Sequence, residues 1–141
     1  MTEQLLYDYL AGLVSADELG PALVAARIAP DTWRFRTSDN YRVEPLIRPR
    51  RVTPHHIERF IDALETGALT NEHVAIACFL LQAGTGRFMW DTDTSEGERV
   101  ADAIFWLGTP EINYPLTPDN LTRIRQYLHT GANTLAAESS G

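Results

Sequence analysis

Lysine is missing from this chain: all 12 of its basic residues are arginines. That is read first as the mark of a GC-rich coding sequence, bacterial or viral, and only second as a demand for bidentate guanidinium contacts. Cysteine occurs once, at Cys78, so no internal disulfide can form. This excludes a disulfide-stapled scaffold and makes a reducing, cytoplasmic home the expectation. Long apolar runs are also lacking. The longest, Val74 to Leu81, has eight residues, whereas a membrane-spanning helix needs about 20. The opening Met1-Thr2-Glu3-Gln4 puts no basic stretch ahead of an apolar one, so no secretory leader is expected. Positive charge is outnumbered, 12 basic residues against 19 acidic ones, for a formal charge of −7.

What is present describes an ordinary globular domain. The composition is 44% hydrophobic and 22% charged over 141 residues, enough chain for one core that buries roughly 70% of the unfolded surface. The charges are polarised along the sequence. Residues 33–59 hold seven arginines (Arg34, Arg36, Arg42, Arg48, Arg50, Arg51, Arg59) against three acids. Residues 91–102 hold Asp91, Asp93, Glu96, Glu98 and Asp102 against Arg99 alone. Polarity of this kind governs association rate and partner choice rather than fold.

Apolar period and capping residues predict a mainly α chain: a compact bundle of about six helices with one inserted β-hairpin. Leu6, Leu10 and Leu13 mark a first helix stopped by Gly12, and a Ser15–Glu18 capping box opens a second over Leu19, Leu23 and Ala26. These form an N-terminal pair over residues 1–30. Trp33, Phe35, Tyr41 and Val43 alternate with charges around a Thr37-Ser38-Asp39-Asn40 turn, which predicts the hairpin over 33–48.

A helical core follows over 53–131. Thr53-Pro54 and a Val52–Ile57 staple start its first helix, Ile57, Phe60, Ile61 and Leu64 form the stripe, and Gly67 stops it. Thr70 caps a helix that is apolar nearly all round from Val74 to Leu81, read as the central buried one. A Ser95–Glu98 box opens the next, with Val100, Ala103, Ile104 and Leu107 inward and Phe105 and Trp106 broadening the face. Thr117-Pro118 opens the last, and the tail over 134–141 is expected to fray. Residues 52–68 and 116–132 echo each other, with seven of 17 positions identical. Duplication and shared capping grammar account for the echo equally well.

No catalytic, metal or cofactor motif stands out, and none is expected. His55 and His56 point about 100° apart on a helix and have no third partner within reach. Asp91-Thr92-Asp93 begins like a calcium loop but has Glu96 where that turn demands glycine. Gly84-Thr85-Gly86-Arg87 lacks the lysine and serine of a phosphate loop, and Cys78 reads as a core thiol.

Two surfaces remain. The arginine-rich segment (Arg48, Arg50, Arg51, Arg59) could grip phosphates, although the overall charge argues against direct nucleic-acid binding. The segment Phe88-Met89-Trp90 beside Asp91, Asp93, Glu96 and Glu98 has the make-up of a protein-binding site, with Trp90 as the aromatic anchor and the four acids as its charged rim.

From Thr53 to Gly131, the Gly67-Ala68-Leu69-Thr70-Asn71-Glu72 step and the connector from Pro110 to Thr117 resemble small helical bacterial toxin-immunity proteins. The resemblance covers the C-terminal half and carries over no binding residue. It implies a non-catalytic, cytoplasmic protein, without cofactor, that neutralises a cognate toxin by direct binding. The composition suits this. An acidic domain can cap the basic surface of a protein partner, with charge speeding encounter and an anchor slowing release. No membrane partner is expected. The alternatives are a phage-encoded inhibitor that mimics nucleic-acid charge and a helical adaptor module.

Overall fold

In the computed structural model, which describes residues 1–27, 41–83 and 86–135, six helices and one two-stranded sheet follow in order: α1 Glu3–Leu10, α2 Ala16–Ala26, β1 Arg50–Arg51, α3 Pro54–Thr66, α4 Asn71–Ala83, β2 Phe88–Met89, α5 Ser95–Gly108 and α6 Pro118–Thr130. The mainly α expectation holds.

Local chemistry sets most helix ends. The Thr53 hydroxyl accepts from the His56 amide at 3.4 Å while the Thr53 amide donates to His56 Nδ1 at 3.0 Å. Thr70 and His73 repeat the same reciprocal box at the start of α4. Histidine thus takes the place usually held by Glu or Gln. Thr117 caps α6 by accepting from the Asn120 amide. Gly67 and Gly131 end α3 and α6 in the left-handed conformation, both at φ +78°, where a Cβ would be strained. The echo between these two helices therefore lies largely in their caps.

Two expected caps differ. Ser15 precedes α2 but makes no side-chain cap; its carbonyl accepts the first bonds, from the Glu18 and Leu19 amides. α5 begins one residue earlier than expected, with Thr94 as the N-cap accepting from the Gly97 amide at 3.0 Å. The Asp91 carbonyl decides this, because it holds the Thr94 amide at 3.0 Å and the Thr94 hydroxyl at 2.6 Å.

The core is assembled around α5, which lies against α3, α4 and α6. α4, expected to be central, packs on α5 and α2 and leaves Phe79 only half-buried beside the Tyr41 ring. Val74, Ile76, Ala77, Cys78, Leu80 and Leu81 of α4 are buried, as the all-round apolarity requires. The α4–α5 crossing depends on a missing side chain: a Cβ on Gly108 would sit 2.8 Å from Cys78 Cβ. Leu13 is 74% exposed because the chain leaves α1 at Gly12, and its place on the buried face is taken by Tyr9. Tyr9 also ties α1 to α3. Its hydroxyl donates to the Arg59 carbonyl at 2.9 Å, Arg59 Nε donates back to the Tyr9 carbonyl at 3.1 Å, and the guanidinium lies over the ring.

Residues 33–40 of the expected hairpin lie outside the described residues. Tyr41 and Val43 do face the core while Arg42 and Glu44 face out, as the alternation required. Their described pairing is with Arg27 and with the N-terminus: Arg27 bridges Tyr41, and Thr2 bridges Glu44. Glu3 is buried there and accepts from the Leu46 amide at 2.9 Å. Of the tail expected to fray, Leu135 is buried in the core, and residues 136–141 lie outside the described residues. No helix among the described residues is long and apolar enough to cross a membrane.

Candidate functional site

The two candidate surfaces of the sequence meet at the small sheet. β1 and β2 run parallel, with Arg50 opposite Phe88 and Arg51 opposite Met89. The Arg50 amide donates to the Arg87 carbonyl and the Val52 amide to the Met89 carbonyl, both at 2.8 Å. Side chains alternate across such a pair. Val52 and Phe88 are therefore buried, Arg50 and Trp90 are half-buried on the same side, and Arg51 and Met89 face out. Before β1, Ile47 is 92% exposed, and its carbonyl accepts from the Arg87 guanidinium.

The outer face of this sheet opens into a groove of about 570 Å³, lined by Pro49, Arg51, Met89, Trp90 and Asp91. Asp91, the acid in its lining, belongs to the turn into α5. Asp91 Oδ1 accepts from the Asp93 amide at 2.9 Å, and the turn closes against Gly97. A Cβ at Gly97 would lie 1.8 Å from the Asp91 carbonyl oxygen, so only glycine fits under this turn. Asp91, Asp93 and Glu98 are exposed and Glu96 is half-buried. Acids in the first turn of a helix are favoured by its positive end. Glu96 approaches Arg51 at 3.8 Å, with side chains 44% and 69% exposed.

Of the predicted site residues, Trp90 and Asp91 line this groove, Glu96 lines a second cleft, and Asp93 and Glu98 line neither of the two. Trp90 was expected as a loop anchor; it follows β2 directly and packs half-buried against the core. Trp90 still reaches the groove, where it lies beside Met89, which is 51% exposed. Met89, Ile47, Pro49 and Arg51 were missed as a group. A strand of two residues carries too little alternation to be read from sequence.

The other constellations resolve into structural roles. His56 is consumed by the α3 cap, and burial, with a smaller contribution from His55, holds its imidazole below the ordinary histidine range. Burial pushes the Cys78 thiol far up, away from thiolate. Arg59 is spent on Tyr9, and Arg50 lies over the Tyr7 ring. Arg48 and Arg51 are the exposed basic residues left at β1, while Arg34 and Arg36 lie outside the described residues.

A second cleft, about 380 Å³, lies where α3, α5 and α6 meet; in it His129 Nε2 contacts the Glu58 carboxylate. Farther along the same helix pair, Arg125 reaches Asp62 and Glu65 at 2.6 Å. These contacts clasp α3 to α6. Among the described residues no three His, Cys, Asp or Glu side chains are grouped to hold a metal.

No family model, curated protein or solved structure matches this chain.

Proposed function

We propose that this protein works by binding another protein, without catalysis, through the groove between β1 and the start of α5. In this reading it neutralises a toxin or effector in the cytoplasm, as an immunity protein does. The observation that carries the proposal is the exposure of Met89 and Ile47 on a chain that gathers Asp91, Asp93, Glu96 and Glu98 around the start of α5. Apolar anchors within a charged rim are the make-up of a protein interface. The partner presents a basic surface, which the carboxylates around the start of α5 attract and steer. A surface that only mimicked nucleic-acid charge would have no use for exposed Met89 and Ile47.

A paired-bait experiment tests this. The immobilised chain is compared with Met89→Asp and with a chain in which Asp91, Asp93, Glu96 and Glu98 are changed to arginine. A protein held by the wild type, released by salt and lost from both variants supports the reading. Suppression of that protein's toxicity or activity by the wild type alone supports neutralisation. Equal retention on all three baits overturns the proposed surface.

A further inference from the structure

The arginine-rich segment holds one guanidinium that nothing answers. Alternation along β1 sends Arg51 outward and Arg50 inward, to the side of Val52 and Phe88. Arg50 is half-buried there, with its Cζ 5.4 Å from the centre of the Tyr7 ring. Its Nε is closed to water and has no acceptor among the described residues. No carboxylate among them pairs with it either, since the ion pairs go to Arg27, Arg51, Arg123, Arg125 and His129. Proteins keep few buried donors in this state, and a charged one is the costliest.

The neighbours of Arg50 add donors and no carboxylate. The His56 ring meets Tyr7 edge-on, with centroids 5.5 Å apart. Its Nδ1 accepts from the Thr53 amide, so the proton sits on Nε2. Neither that N–H nor the Tyr7 hydroxyl bonds to another described residue. Burial and His55, with no carboxylate contributing, hold the His56 imidazole below its ordinary range. Arg50, Tyr7 and His56 are each half-buried, so the cluster is reached from solvent.

We infer that Arg50, Tyr7 and His56 form a binding site for a phosphate group at the junction of α1, β1 and α3. The edge of the guanidinium pairs two phosphate oxygens and gives Nε the acceptor it lacks. The Tyr7 hydroxyl and the His56 Nε2–H donate to the remaining oxygens. A tetrahedral anion presents oxygens in several directions, as donors placed around a ring require, whereas a flat carboxylate does not. Arg48 and Arg51, close along the chain, add attraction at a distance. The site lies on the opposite side of β1 from Arg51 and Met89, so it is independent of the docking groove.

The probe is inorganic phosphate, titrated to tens of millimolar into the isotopically labelled full chain at constant ionic strength. Adenosine monophosphate and acetate are titrated in parallel. NMR follows the Arg50 Nε–H, the Tyr7 ring and the His56 ring in wild type, Arg50→Gln, Tyr7→Phe and Arg51→Gln, each first checked for a native spectrum. The expected result is a saturable shift of all three groups with inorganic phosphate. Its affinity falls about tenfold or more in Arg50→Gln and about two- to tenfold in Tyr7→Phe, which keeps the ring under the guanidinium. Arg51→Gln removes an equal charge nearby and weakens binding less than Arg50→Gln does. Tighter binding of the nucleotide assigns the site to a phosphate ester; equal or weaker binding assigns it to the free anion. The site is overturned if neither phosphate probe gives a saturable shift, or if acetate shifts the same groups at the same concentrations. It is also overturned by an affinity unchanged in Tyr7→Phe, or by one weakened no more in Arg50→Gln than in Arg51→Gln.

Discussion

Replacing Gly97 by alanine tests whether the acidic turn into α5 is built as described. At an ordinary helical position this change stabilises, by about 1 kcal/mol, because alanine is the better helix former. Gly97 is different, since its missing Cβ leaves room for the Asp91 backbone. The added carbon would meet the Asp91 carbonyl oxygen at 1.8 Å, its carbon at 2.3 Å and its nitrogen at 2.7 Å. Three backbone atoms cannot rotate aside as a flexible side chain could, so the turn must move by roughly 1–2 Å to reach ordinary contact distance.

Overpacking of this kind costs about 1–3 kcal/mol. The movement also weakens the two hydrogen bonds that the Asp91 carbonyl accepts from the Thr94 amide and hydroxyl, worth about 0.5–1.5 kcal/mol each. Set against the gain in propensity, the net expectation is a loss of about 1–5 kcal/mol. A loss near the middle of that range lowers the melting temperature by roughly 6–12 °C in a chain of this size. Denaturant midpoints and thermal unfolding of Gly97→Ala and wild type, measured side by side, provide the check. A variant as stable as wild type, or more so, would refute the close passage of Asp91 over α5 and with it the placement of the acids around its start.

Two further outcomes are expected. The folded-state pKa of His56 is lowered by burial, with His55 adding to the effect, so the unfolded chain binds the proton more readily than the folded one. Its contribution to stability is therefore present above the unfolded value of about 6.5 and is lost as pH falls from there toward the lowered folded value. Protonation also removes the acceptor for the Thr53 amide. Glutamine keeps an acceptor at this position, so denaturant midpoints of His56→Gln should fall less than those of wild type between pH 7.5 and 5.5; equal falls would contradict the role given to His56. In the core, Leu81→Ala should cost roughly 2–5 kcal/mol, because Leu81 is 3% exposed. Phe79→Ala should cost less than a fully buried aromatic would, since Phe79 is only half-buried. A midpoint unchanged in Leu81→Ala, or a loss in Phe79→Ala as large as the roughly 3–5 kcal/mol of a fully buried aromatic, would show the α4 packing to be misassigned.

Much of this fold was legible in the chain because helix ends and helix faces are local properties. A threonine followed by proline supplies a cap and a preset first turn, a glycine some 13 residues on supplies the left-handed stop, and a period near 3.6 states which side is buried. α3 and α6 could be read from these signs to within a residue, as could the buried stripes of α4 and α5. The grouping of Asp91, Asp93, Glu96 and Glu98 was legible for the same reason: they are close in sequence and flank one helix start.

Tertiary structure alone decided what stands beside these acids. β1 and β2 are two residues each and come from distant parts of the chain, too short to carry a period and paired by backbone groups that every residue possesses. Their register places Arg51 beside Met89 on the exposed side and leaves Trp90 half-buried at the groove. The Tyr9–Arg59 latch, the Asp91 carbonyl that moved the α5 cap from Ser95 to Thr94, and the bare α-carbons of Gly97 and Gly108 at close crossings likewise depend on partners far along the chain or on space already filled by another element. A local pattern specifies where a helix begins and which face it buries. It does not specify which backbone will pass within van der Waals reach of that helix, and in this protein that passage forms the groove.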